Sequence, residues 1–314
     1  MTPLEDDLQT EHPQEASGFP AVAVPTPTFG TVSGENVPPF PAEFFRPRMT
    51  PNIGHTALFF LLAFIALLIG QSLGIFLFQQ LHFFGHQTLR QLANAAQDDP
   101  RVSLPVQGFS YALVALVVIP TFSLLWHEPF RIGIHWNADV ARRRFLILAL
   151  GGLGSGFGIG LLGNFLPMPK DPPIMQDIMH SPLGAWMMLI FGVTIAPLLE
   201  ELAFRGFLLP SLVNGVRWLE REQIIGPAAA RLVGIPVSIL ITSLGFAIMH
   251  SPQVSHAWGP LVLIGGVSIV LCIVRLTLDS LAASVVVHAA YNFTLFAGMI
   301  AATGGFRHLE RLTT

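Results

Sequence analysis

Long stretches of this chain contain no Asp, Glu, Lys or Arg. None occurs between Arg48 and Arg90, between Arg101 and Glu128, between Arg144 and Lys170, or across the 43 residues between Arg231 and Arg275. A charge at the centre of a membrane helix costs roughly 2.5–3.5 kcal/mol on insertion scales, and about 20 apolar residues cross the hydrocarbon. The gaps predict helices near 56–79, 106–126 and 145–166. A fourth, near 184–209, carries Glu200, Glu201 and Arg205 inside it. The longest gap exceeds one pass and breaks at Ser251-Pro252, giving helices near 235–250 and 258–275, and a last helix covers about 279–300. The expected fold is an all-α polytopic transmembrane bundle of seven spans, or eight if part of 210–234 re-enters the membrane.

Composition agrees. Of the 314 residues 52% are hydrophobic and 11% charged, against about 25% charged in soluble domains; the mean hydropathy is +0.61. A net charge of −3 provides no basic footprint, which argues against a nucleic-acid partner. Cys272 stands alone and cannot form an intramolecular disulfide. Residues 1–50 hold nine prolines, open with Glu5, Asp6, Asp7, Glu11 and Glu15, and have no Lys or Arg before Arg46. They read as a disordered Pro-rich aqueous tail, not a signal peptide. Helices of 51–176 follow, then a polar-bearing membrane core over 177–303 and a tail at 304–314. Arg131, Arg142, Arg143 and Arg144 crowd the second connection and Arg217, Arg221 and Arg231 the fourth, while the third holds only Lys170. The positive-inside rule then puts connections two and four, and the N-terminus, in the cytoplasm; in a bacterium the membrane would be the plasma (inner) membrane.

The third helix holds Gly158, Gly160 and Gly163 in a G-x-G-x-x-G string. With no strand before it and no acidic residue at the required distance after it, the dinucleotide reading fails. Gly152, Gly156 and Gly160 instead fit close helix packing in lipid.

Three polar insertions carry the chemistry. Glu201 and Arg205, four apart, share a helix face and can pair. Glu200 points about 100° away and lacks that partner, which suits a carboxylate to general acid–base work near neutrality. His250 closes the apolar helix that contains Phe246, and His288 and Asn292 share one face of the last helix. Ionisable residues inside a membrane are functional hypotheses by default. Glu with His can activate water, and Asn with a second His can stabilise an oxyanion. Glu200, His250 and His288 could also hold Zn²⁺ or another divalent metal with an open position for water.

Glu200-Glu201-x-x-x-Arg205, Phe246-x-x-x-His250 and His288-x-x-x-Asn292, in that order on separate helices, resemble the three motifs of the CAAX protease and bacteriocin-processing family, often labelled Abi-type, which includes the type II CAAX prenyl endopeptidases. The likeness covers about 184–300. It implies an intramembrane endopeptidase with a polar cavity, acting on a peptide or protein with a hydrophobic or lipidated segment in the bilayer. Carried over, Glu200 with His250 would activate water. His288 and Asn292 would line the oxyanion site or help position a metal, and Glu201, Arg205 and Phe246 would support the site.

Other readings fare less well. His127-Glu128-Pro129 lacks the second histidine of a zinc helix, and Leu153 before Gly154-Ser155-Gly156 breaks a rhomboid-like serine site. His82 and His86 have ligand spacing but read as an interfacial loop. The rival from another class is a non-catalytic transporter or partner-binding scaffold with a proton-relay-like cluster, against which stands the lack of paired half-repeats.

Overall fold

A computed structural model describes residues 49–169 and 173–312. All of the proposed Pro-rich tail except Met49 and Thr50 lies outside them. Among the described residues there is no strand. Among the described residues seven helices are long and apolar enough to cross a membrane: Ile53–Gln80, Pro100–Trp126, Phe145–Gly163, Pro182–Arg221, Pro227–Met249, Trp258–Leu278 and Leu281–Thr303. These are the first to seventh spans below. Large apolar side chains such as Phe64, Leu68, Leu116, Leu124, Leu146 and Ile147 face outward, as a lipid-solvated bundle requires.

The eighth pass is not made. The fourth span extends to Arg221 and the fifth begins at Pro227, so 210–234 is absorbed into their ends and the turn between them. At about 1.5 Å per residue a 40-residue helix is about twice as long as the roughly 30 Å hydrocarbon is thick. Its last turns, with Arg217, Glu220 and Arg221, can therefore leave the apolar layer. A short helix at Leu89–Asp98, held by a Thr88–Gln91 capping box, was hidden in sequence by its polarity. It seats Leu92 against Val102 and Val106. Residues 304–312 of the proposed C-terminal tail are likewise tied down, with Phe306 buried beside Ile178, Ala185, Leu189 and Phe296; 313–314 lie outside the described residues.

Two contacts fix the helices that carry the site. The glycine-rich third span lies against the seventh, where a Cβ at Gly152 would overlap the Val287 carbonyl and one at Gly156 the Thr294 side chain. Gly160 has open space around it, so the packing stripe stops one step earlier than the spacing predicts. At one end of the bundle the second connection docks on the turn between the sixth and seventh spans. Leu281 N–H donates to His135 O (3.0 Å), Ser280 Oγ to Asn137 O (2.8 Å), and His135 Nδ1 meets Asp279 at 2.9 Å. His135 and Asp279 both have positive φ, 55° and 45°, a conformation that costs energy outside glycine and is held here by these bonds. Burial alone would push the Asp279 carboxyl up; hydrogen bonds from His135 and Arg275 outweigh it and hold the group below the usual carboxylate range.

The glycine contacts make a graded prediction. Gly156→Leu should destabilise the protein by about 1–3 kcal/mol through overpacking, read as a lower unfolding temperature in detergent. Gly160→Leu should leave that temperature nearly unchanged. Equal shifts in the two variants would contradict the packing described.

Candidate active site

The fourth span is not one straight helix. It runs as Pro182–Val193, breaks at Thr194, resumes over Ile195–Glu201, widens into a π-helix over Leu202–Leu208 and returns to α-helix at Leu209. Pro197 accounts for the break, since it has no N–H for the carbonyl one turn back. π-turns are uncommon and gather at functional sites. This one starts directly after the two glutamates.

Adjacent residues on a helix diverge by about 100°, which sends the two carboxylates into different surroundings. Glu201 turns inward and is fully buried. Its Oε1 accepts from Arg205 Nη1 at 2.8 Å and lies 2.9 Å from His288 Nδ1. Arg205, equally buried, also donates from Nη2 to the Ser268 carbonyl (3.0 Å) and hydroxyl (2.6 Å) on the sixth span. Its guanidinium sits 4.7 Å from the centre of the Phe246 ring. Glu201 Oε2 and Arg205 Nε find no hydrogen-bond partner among the described residues, so the pair has nothing in reserve if one member is lost.

Glu200 faces the other way. Its Oε2 lies 3.7 Å from His250 Nε2 and 3.7 Å from His288 Nε2. Both separations are too long for a direct hydrogen bond, so neither imidazole consumes the carboxylate. Each ring is anchored through its other nitrogen. His250 Nδ1 donates to the Phe246 carbonyl (2.8 Å), a pure acceptor, which leaves Nε2 as the atom turned to Glu200. The Phe246 ring packs against both imidazoles, 4.5 Å from His250 and 5.7 Å from His288, centre to centre. Side-chain exposure separates the roles: Glu200 16% and His250 14%, against 3% for His288 and none for Glu201 and Arg205. A carboxylate and an imidazole thus stand at the accessible edge, with a buried ion pair behind them.

The site joins every residue singled out in the sequence except Asn292 by a stated contact. Asn292, one turn beyond His288, donates Nδ2 to the Gly192 carbonyl at 2.7 Å, just before the break at Thr194. Glu200 has no cation partner on its own helix, and the imidazoles of His250 and His288 from two other spans stand beside it. A cavity of about 640 Å³ lies at the docked second connection, lined by residues including Arg131, His135, Trp136 and Asp279. Among the described residues no group of three or more His, Cys, Asp or Glu side chains is set out as a metal site, and Glu200, His250 and His288 stand as a ligand set for experiment to decide. The rings of His82 and His86 meet edge to face, 4.6 Å apart, in a turn.

Sequence reasoning missed Ser268, Arg275 and Tyr111. Ser268 and Arg275 line one buried face of the sixth span, and Tyr111, bonded to Gln107, lies within electrostatic reach of Glu200. A serine in an apolar helix carries no signal of its own. Arg275 and Asp279, four apart, were a legible pair.

Residues 182–294 match the family model described as type II CAAX prenyl endopeptidase Rce1-like. That stretch contains all three motifs, and over it the chain is similar to the type II CAAX prenyl endopeptidases. No curated protein and no solved structure matches the chain.

Arg205→Leu should cost about 3–5 kcal/mol by leaving Glu201 buried without its cation, so that folding yield in detergent falls with activity. A normally folded, fully active variant would remove the bracing role.

Proposed function

We propose that this protein hydrolyses a peptide bond within or beside a hydrophobic or lipid-modified segment of a membrane-bound substrate, with Glu200 as the base that activates water. The observation that carries this reading is the Glu200 carboxylate bracketed at 3.7 Å by two imidazoles whose far nitrogens are anchored. Glu200 takes a proton from a water held between it and His250, and the hydroxide adds to the scissile carbonyl. The oxyanion is met by His288, held through Nδ1 by Glu201 with Nε2 turned toward Glu200, and by the Asn292 amide proton not given to Gly192. Glu200 then returns its proton to the leaving amine as the C–N bond breaks. One water and one peptide bond yield one carboxylic acid and one amine, between which the acid's proton then passes to give carboxylate and ammonium. Glu201 and Arg205 stay paired throughout.

Every step above is carried by side chains of the chain itself. The tentative Zn²⁺ reading of Glu200, His250 and His288 becomes a point to test. The arginines of the second and fourth connections support a cytoplasmic location for both and for the N-terminus.

Two experiments on purified protein test the reading. With a panel of prenylated and unprenylated peptides in detergent, the native protein should cleave at least one, and Glu200→Ala and His250→Ala should each lose about 100-fold or more, starting from the lower end of what one acid–base group contributes. Cleavage undiminished in both variants would sink the assignment. Separately, protein stripped by chelator and shown metal-free by elemental analysis should keep its activity. A loss restored by Zn²⁺ would replace this mechanism with a metal-assisted one.

A further inference from the structure

The π-turn after the two glutamates leaves one of its own carbonyls without a backbone partner. Leu209 N–H donates five residues back, to Phe204 O. In that register the group facing the Arg205 carbonyl is the nitrogen of Pro210, which has no hydrogen to give. A buried carbonyl left without a donor is costly. The donor comes from another span: Arg275 Nε reaches Arg205 O at 3.1 Å. Neighbouring carbonyls are also met by side chains, Phe207 O by Thr56 Oγ1 (3.1 Å) and Leu208 O by Ser211 Oγ (2.8 Å).

Arg275 is 3% exposed on the same buried face of the sixth span as Ser268, which takes the far end of Arg205. Its Nη1 also donates to Asp279 Oδ1 at 2.9 Å, the carboxylate that holds the second connection through His135. A charge alone would not call for arginine at this position. One nitrogen must hold a carbonyl while another, rigidly fixed to it, reaches a carboxylate one turn away, and only the guanidinium fork has that geometry.

We propose that Arg275 is a positioning residue of the site: its Nε stands in for the N–H that Pro210 lacks, holds the Arg205 carbonyl in the π-turn, and so sets where the Arg205 guanidinium meets Glu201 and where Glu201 meets His288. Arg275 touches neither substrate nor reacting atoms. It works through Arg205, and displacement of catalytic groups by about 1 Å is enough to cost roughly 100-fold in rate.

The inference rests on the proteolytic reading for its activity measurement only, and a second measurement is independent of it. Amide hydrogen exchange over residues 202–213 and peptide-cleavage kinetics would be compared in the full chain for the native protein, Arg275→Met, Arg275→Lys and the double variant Arg275→Met/Pro210→Ala. Arg275→Met should speed exchange in the π-turn and lower kcat about tenfold or more with KM within about twofold. Adding Pro210→Ala should slow exchange again and recover most of the lost kcat, because the new N–H at 210 can take over the Arg205 carbonyl. Arg275→Lys, able to serve one partner but not both, should fall between. Unchanged exchange and kcat in Arg275→Met would overturn the proposal. So would a loss that Pro210→Ala leaves uncorrected in both readouts, which would confine Arg275 to Asp279. Should Arg275→Met fail to fold, the double variant decides: native-like folding and exchange support the proposal, and failure to fold overturns it. If the native protein cleaves no peptide, the proteolytic reading fails and exchange alone settles Arg275.

Discussion

The buried pair of Glu201 and Arg205 is the constraint around which the membrane core is arranged. Neither side chain has measurable exposure, and a charge stripped of water is tolerated only with partners close by. Those partners come from three other spans: Ser268 on the sixth, Phe246 on the fifth and His288 on the seventh. The pair therefore dictates which helices must meet and at what depth. Once they meet, His288 is turned by its bond to Glu201 so that its second nitrogen faces Glu200.

This arrangement lets two neighbouring carboxylates do different work. The inner one is fixed by a cation and an imidazole. The outer one is bracketed by two imidazoles at 3.7 Å, with no direct hydrogen bond to either. A regular α-helix would carry the chain onward without a change of register. The π-turn instead widens the helix right after the glutamates and turns Phe204, Arg205 and Phe207 inward together. Phe207 stacks on Phe59 at 4.2 Å, centre to centre, and lies against Phe122 and Trp126. The first two spans thus brace the segment from behind.

Much of this was legible in the chain because lipid imposes a simple rule. Spans show as gaps between charges, and the seven helices follow those gaps. The charges inside the fourth span, at Glu200, Glu201 and Arg205, were conspicuous for the same reason, and the pairing of Glu201 with Arg205 followed from their spacing. What the sequence concealed depends on contacts between distant segments. The second histidine beside Glu200 comes from 88 positions further on, and no local pattern announces that His288 serves both carboxylates. The π-register is silent because it depends on which tertiary partners meet the freed carbonyls. Gly160 was overread for a related reason: its spacing matched Gly152 and Gly156, but the seventh span does not lie against it.

The central claim, that Glu200 is the base of a membrane-embedded peptide hydrolase, is most directly tested in cells. Termini of membrane proteins would be mapped by mass spectrometry in cells carrying the native protein and in cells carrying Glu200→Ala at equal abundance. The account predicts a set of new termini, within or beside hydrophobic or lipid-modified segments, present with the native protein and missing with the variant. Identical termini in the two would contradict it.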